Sequence, residues 1–205
     1  MTRISRILAL LIALSILLLT SCKDDDPVKE DIPELITKAM LTFTPAAGTS
    51  ASIVKVTATD PDGEGPQSIA ITGEIKLTKG ITYTLTVEMF NELANPTADE
   101  YNIGVEVLNE GYEHQFYFAW TGNVFSSPAG DGNIDNRNDA INYKDKDENN
   151  LPIGLITEWT AISTATSATN TFHIVLKHQP ELKSATSTFD DGETDLDLTF
   201  PVSVN

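Results

Sequence analysis

Three acidic loops and a small set of histidines carry most of the residue types in this 205-residue chain that could do chemistry. Asp60-Pro61-Asp62 and Asp145-Lys146-Asp147 each place two carboxylates one residue apart in a polar turn. Such pairs, with backbone carbonyls beside them, can wrap a hard cation such as Ca²⁺. A third loop offers oxygen donors at alternate positions, Asp131, Asn133 and Asp135, with Asp139 following. It lacks the glycine at the sixth position of an EF-hand loop, where Asn136 stands, and the glutamate at the twelfth, where Asn142 stands. Aspartate, asparagine and glycine also dominate turns for backbone reasons alone. Ordinary turn chemistry is therefore the first reading of each loop and Ca²⁺ binding the second.

The histidines suggest a different chemistry. His114 falls in phase with Phe116, Phe118 and Trp120, and His178 with Phe172, Ile174 and Leu176. Both are expected on the apolar side near a strand end, with His173 facing the other way. Two inward imidazoles, with an acid such as Glu113 or Glu181, would suit a transition metal. The simpler alternative is a pair of core-edge histidines bonded to backbone. Trp120, Trp159, Tyr112 and Tyr117 could form a sugar-stacking platform, although Trp159 is in phase with Ile153 and Leu155 and so reads as core. Catalysis has little support: the chain has no Gly-x-Ser-x-Gly elbow, no His-Glu-x-x-His and no phosphate-cradling glycine loop. A non-enzymatic protein is expected.

The elements that must position these residues are strands. Ile69, Ile71, Ile75 and Leu77 alternate with polar or small residues, as do Tyr83, Leu85, Val87 and Met89. Leu196, Leu198, Phe200, Val202 and Val204 continue the pattern near the C-terminus. A period of two marks strands with one buried face. Weaker strands are expected near 35–44, 52–59, 113–120, 139–145, 153–162 and 169–178, while 101–108 fits strand or helix. Together they predict an all-β, antiparallel β-sandwich of about nine or ten strands. Residues 56–66 align with 141–152 with one gap, each running from a strand through Asp-x-Asp to a proline. This suggests two related halves, each supplying one sheet.

The N-terminus reads as a targeting segment. Arg3 and Arg6 precede an apolar run from Ile7 to Leu19. As a helix that run spans roughly 20 Å, short for a bilayer core of about 30 Å, so a secretory signal is the better reading. Leu19-Thr20-Ser21-Cys22 resembles the lipobox of bacterial lipoproteins, and Cys22 is the single cysteine. The resemblance implies cleavage before Cys22 and acylation of its thiol, with two or three acyl chains making a durable anchor. Lys23-Asp24-Asp25-Asp26 resembles the acidic export tag of Bacteroidetes surface lipoproteins. The expected organisation is signal peptide 1–21, acidic flexible tether 22–34 and a single domain 35–205. No disulfide is then available, and the domain must fold on its apolar core.

Charge narrows the partners. Thirty acids face thirteen bases, and losing Arg3 and Arg6 brings the net charge from −17 to −19. Such a surface repels nucleic acid and attracts cations, and it also keeps a protein soluble. The Asp60–Pro66 turn, Glu113-His114-Gln115-Phe116, Lys177-His178-Gln179-Pro180 and Gly192-Glu193-Thr194-Asp195 together resemble a group of short, mainly flavobacterial lipoproteins of uncharacterised function. Labels of a periplasmic-binding fold attach to some of that group. The length and the period of two argue against that fold here and leave only a hint of solute binding. The expectation is an outer-membrane lipoprotein facing the exterior, a non-catalytic module capturing a solute or cation for a neighbouring transporter. An adhesive or structural surface protein is the alternative, and a polymer hydrolase a third.

Overall fold

Alternation along the chain sorts it into two facing sheets. A computed structural model describes residues 34–63, 65, 68–166 and 170–205, within a unit running from Pro33 to Asn205. The expected signal peptide 1–21, Cys22 and the expected export tag at Lys23–Asp26 lie outside the described residues. Among those described there are ten strands. One sheet contains β1 (Lys38–Pro45), β2 (Val54–Thr59), β3 (Ala70–Thr72), β5 (Thr82–Phe90), β7 (Phe125–Ser127) and β8 (Ile156–Ala161). Its order is β3-β2-β1-β5-β8-β7. The other contains β4 (Ile75–Leu77), β6 (His114–Trp120), β9 (Asn170–His178) and β10 (Glu193–Val204), in the order β4-β10-β9-β6. Every pairing is antiparallel except the parallel contact of β4 with β10. The fold is an all-β, sandwich-like one.

The core lies between the sheets. Leu41, Phe43, Leu85 and Trp159 from the first meet Phe116, Phe118, Phe172 and Phe200 from the second, all fully buried. Phe172 stands edge-on to Phe43 at 5.8 Å and to Trp159 at 5.0 Å, a geometry that aromatic quadrupoles favour. Trp120, Trp159 and Tyr117 are all buried. Of the four residues considered for a sugar platform, only Tyr112 is exposed.

The second sheet is covered on its outer face as well. Tyr117 packs edge-on against Phe189 at 5.9 Å. Gln179 Nε2 donates to the Thr188 and Asp191 carbonyls, holding the 179–191 loop over the sheet. That cover explains why β6 and β9 are buried on both faces near their His ends.

Several boundaries differ from expectation. The stretch 69–77 is two strands in different sheets, because Gly73 takes a positive φ of +96° and breaks the run. A Cβ there would come within 3.2 Å of the Val56 side chain. Residues Ile103–Asn109 form helix α1, capped when the Asn102 side chain accepts from Val105 N–H. The expected strand at 139–145 reduces to one bridge, Tyr143 with Thr157. Nor does each half supply a sheet: β7 and β8 join β1, β2 and β5, while β4 crosses to the second sheet.

Candidate metal centre

The antiparallel register of β6 and β9 sets His114 directly opposite His178. Their rings stack at 4.6 Å between centroids with 6° between planes. Helix α1 approaches from the side and ends at Glu110, whose carbonyl lies 3.1 Å from His114 Nδ1. A carbonyl can only accept, so Nδ1 carries the proton and the Nε2 lone pair faces the interior when the ring is neutral.

Two carboxylates meet that lone pair. Glu34 Oε1 is 3.1 Å from His114 Nε2 and Asp195 Oδ2 is 3.7 Å away, with the Glu34 and Asp195 side chains 6% and 0% exposed. Neither contact is aligned as a hydrogen bond. Glu34 Oε2 and both oxygens of Asp195 are buried without a hydrogen-bond partner. One donor atom from each of Glu34, His114, His178 and Asp195 lies within 4.8 Å of the other three.

Asp195 reaches this position through a β-bulge. Thr194 pairs with Lys177 and Leu196 with Leu176, so Asp195 is an extra residue in β10. Bulges re-aim side chains in this way. Its neighbour Asp197 keeps the ordinary outward direction and pairs with His173 at 2.7 Å. The approach of β10 to His178 requires Gly192 at φ +76°, where a Cβ would sit 2.0 Å from the His178 carbonyl oxygen. Glu34 is held from its C-terminal side. Thr37 N–H donates to the Phe90 carbonyl, Asp60 N–H to the Thr37 carbonyl and Glu92 N–H to Thr37 Oγ1.

The electrostatics are those of a site lacking positive charge. Burial, and then the neighbouring Glu34 carboxylate, push Asp195 up to about 7. Burial works against the charged form of His114, but Glu34 outweighs it and holds the imidazole above its ordinary value. Burial also opposes ionisation of Glu34, and His114 reverses that, leaving the carboxyl below its ordinary value. Lone pairs facing lone pairs in a buried site need a cation between them, either protons or a metal. Donors around a tetrahedral ion with bonds of about 2.0–2.1 Å stand about 3.4 Å apart. The contacts of 3.1 and 3.7 Å bracket that spacing.

Glu34 also belongs to a second group. Its carboxylate and those of Glu106 and Glu110, one turn apart on α1, have oxygens within 4.8 Å of one another. Glu106 and Glu110 line a cleft of about 420 Å³, together with Asp99, Glu100 and Asn102.

The other sequence-predicted residues are placed differently. Asp145 accepts from Gly154 and Ile156 N–H, and Asp147 Oδ1 from Asn149 and Leu151 N–H. Asn133 turns inward, accepting from Phe118 N–H and donating to Tyr143 Oη, and so leaves the alternate-position pattern. The carboxylates of Asp131, Asp135 and Asp139 do lie together, the first two exposed. Asp60 and Asp62 flank the turn after β2, and among the described residues no third acid or histidine completes a group with them. Glu113 lies 3.8 Å from His178 Nε2, whereas Glu181 is exposed at φ +58°. Sequence reasoning finds the two histidines and misses Glu34 and Asp195. No protein-family model, curated protein or solved structure matches the chain.

Proposed function

We propose that the protein is a lipoprotein anchored through Cys22 to the outer membrane and facing outward, whose β-sandwich domain captures a divalent transition-metal cation for a neighbouring transporter. The observation that carries the cation reading is Asp195, a carboxylate with no exposed side-chain surface and no hydrogen bond on either oxygen, aimed at the Nε2 lone pair of His114. Two nitrogen and two oxygen donors suit Zn²⁺ and its neighbours better than Ca²⁺, which takes six to eight oxygens. Four protein donors leave the ion among Glu34, His114, His178 and Asp195 no open position of the kind a hydrolytic metal keeps. A net charge of −17 over the whole chain raises the local concentration of cations.

The test is thermal melting of the full chain in mild detergent, with Zn²⁺ and then with excess chelator. A site filled at a hundred times its dissociation constant adds about 2.7 kcal/mol. A rise in melting temperature that the chelator reverses is expected, and an unchanged melting temperature contradicts the metal reading. The anchor has a separate test. Cys22→Ala should release the protein from the membrane fraction, and a variant that still partitions with detergent contradicts lipidation. Alanine at Lys23 to Asp26 should protect the protein from external protease in intact cells, and undiminished cleavage contradicts outward display.

A further inference from the structure

We propose that the site is dinuclear, with the Glu34 carboxylate bridging two divalent cations. This rests on the inner His/carboxylate cluster being a metal site and adds a second ion to it. The inner ion sits among Glu34, His114, His178 and Asp195, and the outer among Glu34, Glu106 and Glu110.

Geometry comes first. The two groups of donor atoms, each within 4.8 Å, share one residue, Glu34. A carboxylate has two oxygens, and those of Glu34 are in different situations. Oε1 faces His114 Nε2 at 3.1 Å, while Oε2 is buried and has no hydrogen-bond partner. A side chain only 6% exposed, with its second oxygen unanswered and its carboxylate within reach of two further glutamates, has the form of a bridging ligand. Paired metals in two-metal sites stand about 3.5–4 Å apart.

The donors also divide the two positions by chemistry and access. The inner position has both imidazoles and the fully buried Asp195 of the β10 bulge, which fits a tightly held late transition ion. The outer position has oxygen donors alone and opens onto the cleft that Glu106 and Glu110 line with Asp99 and Glu100. It therefore suits a harder, exchangeable ion such as Mn²⁺.

The experiment is metal analysis after equilibrium dialysis of the full chain against Zn²⁺, beside the double variant Glu106→Gln, Glu110→Gln. Two Zn²⁺ per wild-type chain and one per variant chain are expected. Electron paramagnetic resonance of the wild type loaded with Mn²⁺ should show a spin-coupled pair in place of an isolated six-line signal, a readout that stands even if the variant fails to fold. One Zn²⁺ in both proteins with an uncoupled Mn²⁺ signal overturns the bridge and leaves the single site standing. Two Zn²⁺ retained by a folded variant place the second ion elsewhere and also overturn the bridge. No bound metal in the wild type overturns both readings.

Discussion

Two acidic clusters in this domain are built from the same residue types and differ in what answers the acids. Around Asp145 and Asp147, three of the four carboxylate oxygens receive backbone N–H groups. The fourth, Asp147 Oδ2, lies 3.0 Å from Lys183 Nζ, the two side chains being 1% and 0% exposed. At the His114 end, both oxygens of Asp195 and one of Glu34 have no hydrogen bond, and the positive charge on offer is that of an imidazole. The first cluster is complete within the chain and ties a turn to the 179–183 segment. Among the described residues, the second has an imidazole alone to answer two buried carboxylates. A buried acid by itself indicates neither structure nor binding: Asp147 Oδ2 also lacks a hydrogen bond, and the Lys183 ammonium facing it is what distinguishes the two clusters.

The contrast can be broken most forcefully at Lys183. Lys183→Met leaves Asp147 buried without its counter-charge and should cost about 3–5 kcal/mol in urea unfolding, with the Zn²⁺ response intact. A loss under about 1 kcal/mol would mean that the ion pair does not hold this loop. Asp195→Asn should behave in the opposite sense. The metal-free variant should be at least as stable as wild type at pH 8, because a charge that burial disfavours is gone. The Zn²⁺-dependent gain of about 2.7 kcal/mol at a hundredfold excess over Kd should vanish with it. A destabilised variant that keeps the metal response would place Asp195 in the structural class instead.

Acidity gives a smaller effect with a definite sign. In the unfolded chain Asp195 ionises near 3.8, while in the fold it holds its proton to about 7, so stability declines as pH rises through that interval. His114 is raised above 6.5, so its contribution is complete below 6.5 and is lost as pH rises through the higher folded value. Glu34 is lowered below 4.5, so its contribution is present above 4.5 and lost only on acidification below its folded value. Above pH 5 the slopes of Asp195 and His114 agree, and the metal-free domain should be more stable at pH 5 than at pH 8. A tenfold difference in proton affinity between the folded and unfolded chain corresponds to about 1.4 kcal/mol. Saturating Zn²⁺ should flatten that slope, because the metal competes with the same protons. Stability that rises from pH 5 to 8 without metal would contradict the assignment of these groups. The smallest effect belongs to the exposed pair His173–Asp197. Asp197→Asn should change stability by less than about 1 kcal/mol and leave metal binding untouched, as urea unfolding and dialysis would show.

How far these regions can be read from sequence follows from the same physics. The period of two places β1, β2, β5, β6, β9 and β10, and the phase of His114 and His178 with their aromatic and aliphatic neighbours puts both inside, where the structure has them. Asp195 escapes because its alternation with Leu196 and Leu198 points outward, as Asp197 does, and a bulge leaves no mark in a period. Glu34 escapes because it belongs to an acidic, proline-containing stretch with no apolar rhythm. Its place in the site depends on bonds that Thr37 makes to residues 53 and 55 positions further along. The Asp145-Lys146-Asp147 turn is visible, but the backbone N–H groups that its carboxylates accept from are encoded by no side-chain pattern.

The most direct test of the contrast is a calorimetric titration of Zn²⁺ into the metal-free full chain, run beside Asp195→Asn and Asp145→Asn at pH 7.5. The account predicts saturable binding in wild type and in Asp145→Asn, with loss of the inner-site binding in Asp195→Asn. Equal binding by all three, or loss in Asp145→Asn alone, would contradict it.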